Sequence, residues 1–236
     1  MSKTTDKRQK HPTKSFQFNT LDWICIIFGF SMSIITPFID AEHPPVYVIV
    51  SIAMLMCGIF EMILGVRGRR SNYIFGLLNT ITSFYITWSD HFYGNMLTNI
   101  FYLFICIIGF YSWGEHRDKK KDVIARRLTA KQALITTVAF TLSSIGLNIA
   151  LKHFGGHSTI LDSTSTILIV LASFLGILRF REQWILWTVV NFLTLIMWLE
   201  TGNPAVIGMR IFYVLGSIYG YINWRNYIKQ NTPNED

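Results

Sequence analysis

Trp184, Trp187 and Asn191 follow one another at i, i+3 and i+7, a spacing that stacks two indoles and a carboxamide on one helix face. Two π surfaces beside a group that both donates and accepts hydrogen bonds suit a flat, hydrogen-bonding heterocycle. A cationic ring such as a pyridinium would gain about 0.5 to 2 kcal/mol over each well-placed indole face. Tryptophans near helix ends also form interfacial belts, and Trp113 and Trp224, which end apolar stretches beside basic loops, are read that way.

The other polar residues at membrane depth extend this candidate site. Asn79 lies where an earlier helix would contribute to the same cavity, although an interhelical hydrogen bond would explain it equally well. Asn99 and Arg210 each sit about one turn into a helix, followed by the matched aromatics Tyr102 and Tyr213. Arg210 is read as pointing inward, toward a ribose hydroxyl or a helix carbonyl, with snorkelling to the interface as its alternative. Trp184, Trp187, Asn191, Asn79, Asn99, Arg210, Tyr102 and Tyr213 are therefore the candidate substrate contacts. Glu61, the one acid well inside a span, lies six residues before Arg67 and is expected to pair toward that loop. Gly216-x-x-x-Gly220 reads as close helix packing, and Asp162 before a run of hydroxyls as a helix cap.

These residues need apolar helices to carry them. Hydrophobic residues make up 51% of the 236 and charged ones 15%, too little polar surface for a soluble globule. Eight apolar stretches stand out, at 21–39, 46–66, 73–89, 94–113, 132–150, 160–178, 184–199 and 205–224. Each approaches the ~20 residues that a helix needs to cross a bilayer. No ten-residue alternating segments suggest a β-barrel.

The chain also matches itself at a shift of 111 residues without a gap. Leu64, Gly65, Arg70, Tyr102, Gly109 and Trp113 are answered by Leu175, Gly176, Arg181, Tyr213, Gly220 and Trp224. Such a repeat points to a transporter with two parallel three-helix halves and its site between them. The expected fold is all-α and integral to the membrane: a basic tail (1–20), an N-terminal apolar helix (21–39), a first three-helix repeat (46–113), a basic loop (114–131), a linker helix (132–150), a second repeat (160–224) and a C-terminal tail (225–236). An odd linker keeps the two odd-numbered halves parallel, giving a 3+1+3 arrangement.

Lys and Arg concentrate in the tail, the Arg67–Arg70 loop, the central loop, the Arg179–Arg181 loop and the C-terminal end, and are scarce in the loops between. By the positive-inside pattern this is eight crossings with both termini cytoplasmic; an interfacial first segment, which carries Asp22 and Pro37, would leave seven. The net charge of +7 then belongs to topology and lipid headgroups, not to nucleic acid. Cys25, Cys57 and Cys106 all fall in apolar stretches, and no Cys or His spacing suggests a metal. The basic start lacks a small-x-small cleavage site and reads as an uncleaved anchor. There is no HExxH, Gly-x-Ser-x-Gly or P-loop, so neither catalysis nor ATP-driven pumping is expected, and facilitated diffusion without a cofactor is the economical reading.

Gly76-Leu-Leu-Asn79, Tyr93-Gly94 leading into Asn99-Ile-Phe-Tyr102, Gly109 to Trp113, and Arg181-Glu-Gln-Trp184-Ile-Leu-Trp187 carry a family likeness. Over about residues 46–225 the chain resembles the PnuC family of bacterial nicotinamide riboside transporters. The resemblance implies the organisation of the SWEET sugar transporters with a different hand of helix packing. It also implies a vitamin precursor bound midway across the bacterial cytoplasmic membrane, with Trp184 and Trp187 matching the family's Trp-x-x-Trp motif. Passive uptake feeding NAD synthesis, trapping by a cytoplasmic nicotinamide riboside kinase and a homotrimer are implied in the same way. Several relatives carry an acid near the position of Asn191, and sister branches handle thiamine, riboflavin or deoxynucleosides. A SWEET-like sugar carrier is the alternative that would ignore aromatic bases.

Overall fold

The computed structural model describes residues 20–39, 44–89, 93–117, 122–153, 159–199 and 204–231. The basic tail up to Asn19, the central-loop lysines Lys119 to Lys121 and the end after Asn231 lie outside the described residues, as do the side chains of Cys25, Asp162 and Trp198. The regular elements described are all helices: α1 (Thr20–Ile39), α2 (Pro45–Val66), α3 (Asn72–Ser89), α4 (Tyr93–Glu115), α5 (Ala130–His153), α6 (Thr159–Ile177), α7 (Gln183–Leu199) and α8 (Pro204–Asn231). They follow the eight apolar stretches, with one extension. With Pro233 the next strong breaker after Gly220, α8 continues through Arg225 and Lys229, so the segment expected as a tail from 225 begins as helix.

Length and apolarity alone would carry α2 and α5, of 22 and 24 residues, across a bilayer. The more polar helices answer their hydroxyls internally: Thr80 donates to Gly76 O (2.8 Å), Thr82 to Leu78 O (2.9 Å), Thr188 to Trp184 O (2.7 Å) and Thr194 to Val190 O (2.7 Å). A hydroxyl bonded back to the preceding turn no longer needs water, which lowers the cost of placing these helices in hydrocarbon.

α2 and α6 end alike. Gly68 N–H bonds Gly65 O (3.0 Å) and Arg69 N–H bonds Leu64 O (2.9 Å); Arg179 N–H bonds Gly176 O (2.9 Å) and Phe180 N–H bonds Leu175 O (2.9 Å). Both are Schellman turns with a left-handed residue, Gly68 at φ 65° and Arg179 at φ 66°, spaced by the 111-residue shift. The central loop is pinned to both turns. Val123 N–H donates to Gly68 O (2.8 Å) and Arg126 N–H to Arg179 O (2.8 Å), while Arg69 pairs with Asp122 at 2.8 Å.

Helices α2, α3 and α4 contact in sequence, as do α6, α7 and α8; α2 also meets α8, and α4 meets α6. The shift exchanges those last two contacts. Their reciprocity reaches single atoms. Trp113 Nε1 donates to Gly176 O (2.9 Å) and Ser112 Oγ to Ile177 O (2.9 Å); Trp224 Nε1 donates to Gly65 O (3.3 Å) and Val66 O (3.1 Å), and Asn223 Nδ2 to Val66 O (2.7 Å). Trp113 and Trp224 are 1% and 2% exposed, so their expected place in a lipid-facing belt is corrected: each caps the last turn of a helix in the opposite triplet.

The remaining helices lie outside this arrangement. α5 contacts α6 and has no buried residue. α1 runs antiparallel to α2: Asp22 in its first turn pairs with Arg67 past the end of α2, Ile26 clusters with Ile59 and Ile63, and Phe28 stacks on Phe212 of α8 at 5.9 Å.

Candidate substrate site

Where the triplets α2–α4 and α6–α8 meet, they bring together side chains from α2, α3, α4, α7 and α8. Trp187 of α7 lies against Tyr102 of α4, ring centroids 6.3 Å apart and 26° from parallel. Ser173 of α6, whose hydroxyl donates to Ile169 O (2.8 Å), lies beside the Tyr102 hydroxyl. Arg210 and Glu61 lie within electrostatic reach of both the Tyr102 and Tyr213 hydroxyls. Tyr213 closes over the backbone of Gly58, where a side chain would also sit 3.5 Å from Asn79 Nδ2. Asn79 Nδ2 in turn donates to Glu61 Oε2 at 3.1 Å.

The sequence-derived residues thus fall into two groups. Trp187, Tyr102, Arg210, Tyr213 and Asn79 converge. Asn191, 8% exposed, is one turn beyond Trp187 and donates to Tyr213 O at 3.4 Å, tying α7 to α8. Asn99, also 8% exposed, is one turn before Tyr102 on α4. Trp184 is placed differently. It is 6% exposed, meets Trp224 edge-on at 6.0 Å and 76°, and rests on Gly220, where an added Cβ would come within 2.5 Å of its ring. One turn separates it from Trp187, so it floors the site from the basic end of the bundle.

Glu61 departs from expectation. It does not pair toward the Arg67 loop, because Arg67 is engaged by the buried Asp22 of α1 and Glu61 points to α3. Its position six residues before Arg67 suggested a loop-facing pair; a helical turn count puts it on a different face, and only the packing of α3 shows which. Ser173 and Gly58 were likewise outside the sequence-derived set, since such small residues carry no signal until a neighbouring helix closes on them.

At the basic end of the bundle, Arg179 is held below the usual arginine range by burial and by the nearby charge of Arg126. Arg126 stacks over Phe180 (4.9 Å) and Arg181 over Tyr221 (5.5 Å), so aromatic faces take up part of the positive charge there.

A family profile described as nicotinamide mononucleotide transporter matches residues 48–226. The chain belongs to this transporter family. A Haemophilus influenzae protein named nicotinamide riboside transporter PnuC is 40% identical over 177 residues, spanning 73% of this chain and 77% of its own length. A protein of the same name from Neisseria mucosa is 32% identical over 188 residues, spanning 74% and 71%. The crystal structure of the vitamin B3 transporter PnuC superposes with a TM-score of 0.75 at 27% identity, over 92% of this chain and 95% of that one. Membership makes the chain a membrane transporter and not an enzyme, and the converging side chains of α2, α3, α4, α7 and α8 are where a solute-binding site of this transporter family can be sought.

Proposed function

We propose that this transporter carries nicotinamide riboside into a bacterial cell down its gradient, across the cytoplasmic membrane, where a kinase traps it as the phosphate for NAD synthesis. The observation that supports this most is the meeting of Trp187 and Tyr102 from opposite triplets beside the Asn79 carboxamide and the Arg210 guanidinium. A pyridinium ring gains from indole and phenol faces, and a ribose offers hydroxyls to an amide, a guanidinium and two phenols. Trp187, Tyr102, Asn79, Arg210 and Tyr213 are assigned to the ligand, Asn191 and Asn99 to the helices that hold them, and Trp184 to the floor.

The relatives' names support the riboside, and the family description favours a second candidate, the mononucleotide. Its phosphate would need cations; Arg210 is one, and Glu61 opposes it. Calorimetric titration of the purified protein with nicotinamide riboside, the mononucleotide, thiamine, riboflavin and a deoxynucleoside decides among them. Binding of the riboside alone supports the proposal; silence for it beside a signal for another ligand overturns the substrate and retains the site.

The 3+1+3 organisation is part of the same reading, with α2–α4 and α6–α8 as the parallel halves and α5 as linker. The antiparallel contact of α1 with α2 supports an eighth crossing, with both termini on the basic, cytoplasmic side. A phosphatase fusion at the N-terminus should be silent; an active one would overturn that orientation. Assembly as a homo-oligomer, a trimer as in the resembled family, is checked by native mass measurement in lipid discs.

A further inference from the structure

We propose that Glu61 is the anionic recognition element of this site, facing a positively charged heterocycle whose ring Trp187 covers, and this rests on the site proposed above. The 111-residue shift pairs Gly76 with Trp187 and Glu61 with Ala172. In the second half the large group stands on α7, and the α6 position is a fully buried alanine. In the first half the arrangement is inverted: α3 carries the glycine and α2 the acid. The carboxylate occupies the room the glycine leaves, because a Cβ at Gly76 would lie 2.8 Å from Glu61 Oε1. Equivalent places in the two halves therefore hold an indole and a carboxylate. Such a pair suits an asymmetric ligand that is both aromatic and cationic.

Charge accounting points the same way. An acid within a span is costly and calls for a partner. Glu61 receives one neutral hydrogen bond, from Asn79, and no ion pair joins it to a cation among the described residues: Arg67 is held by Asp22, and Arg210, the other charge of the site, faces the Tyr102 and Tyr213 hydroxyls without a salt bridge to the acid. A bound cation would supply the missing charge at short range and low dielectric, where Coulomb attraction is strongest. An uncharged sugar or nucleoside could donate hydroxyls to the carboxylate but would leave its charge uncompensated.

Calorimetry on the purified full-length protein tests this with nicotinamide riboside, the same riboside reduced to its uncharged dihydropyridine, thiamine and an uncharged nucleoside. The parent is expected to bind the riboside cation at least tenfold more tightly than its reduced form. Glu61→Gln should weaken the cation at least tenfold and leave the reduced form within twofold. An unchanged cation affinity, or an equal loss for both forms, overturns the role of Glu61. Should Glu61→Gln fail to insert, Gly76→Ala, whose methyl displaces the carboxylate, carries the same expectation. Thiamine binding that depends on Glu61, with no riboside binding, overturns the riboside substrate and supports Glu61. Tight binding of the uncharged nucleoside overturns Glu61, and a parent that binds neither cation overturns both.

Discussion

Tyr73 and Trp184, 111 residues apart, hold the same place in the two triplets. Each lays its ring on a glycine, Gly109 or Gly220, and meets the edge of a tryptophan: Trp113 at 5.0 Å and 82°, Trp224 at 6.0 Å and 76°. A residue whose symmetry mate is a packed tyrosine is itself anchored by packing. The two members of Trp184-x-x-Trp187 therefore do different work, and substitution separates them.

Trp187→Ala should lower riboside affinity about tenfold, the order expected for one lost aromatic face, and leave thermal stability near the parent's. Trp184→Ala should instead cost about 3–5 kcal/mol of stability through the cavity it opens beside Trp224 and Gly220. Titration calorimetry and thermal unfolding in the same detergent read both. Equal affinity of Trp187→Ala and parent would remove the stacking site.

Gly109→Ala should destabilise by about 1–3 kcal/mol, because its methyl would occupy the space of the Tyr73 ring. The same substitution made in a Tyr73→Ala background should cost far less. Unfolding midpoints of the four proteins in that cycle give the coupling directly.

Trp113→Phe and Trp224→Phe each remove an indole N–H that crosses between triplets. Gly176 O and Gly65 O keep their bonds from Arg179 and Gly68, and Val66 O keeps its bond from Asn223, so no carbonyl is orphaned and each change should cost about 0.5–1.5 kcal/mol. Unlike costs at the two positions would show that the reciprocal contacts are not energetically equivalent.

The left-handed turns respond in opposite directions. Gly68→Ala places a Cβ at φ 65° and against Val123, and should lose about 1–2 kcal/mol. Arg179→Gly relieves the same conformation and removes a buried guanidinium, and should be neutral or stabilising. Chemical denaturation of both variants checks the sign.

Helix number and placement were legible in the sequence because a bilayer demands long apolar runs, and α1 to α8 fall on them. The repeat was legible too, since equivalent helices need the same glycines and aromatics at the same offsets; Gly109 with Tyr73 and Gly220 with Trp184 show why those glycines recur. Family membership followed from the same motifs, and the matching profile and relatives establish it. What a sequence cannot carry is which face of a helix meets which neighbour. Trp113 and Trp224 ended helices beside basic loops and fitted a lipid belt, yet packing turns them inward onto carbonyls of the opposite triplet. Glu61 fitted a pair with Arg67, yet Asp22 takes that arginine and the acid turns to Asn79. Apolar periodicity fixes that a segment is buried in membrane or bundle; the direction of a single polar side chain is decided by contacts between residues far apart in the chain, and those exist only once the helices have packed.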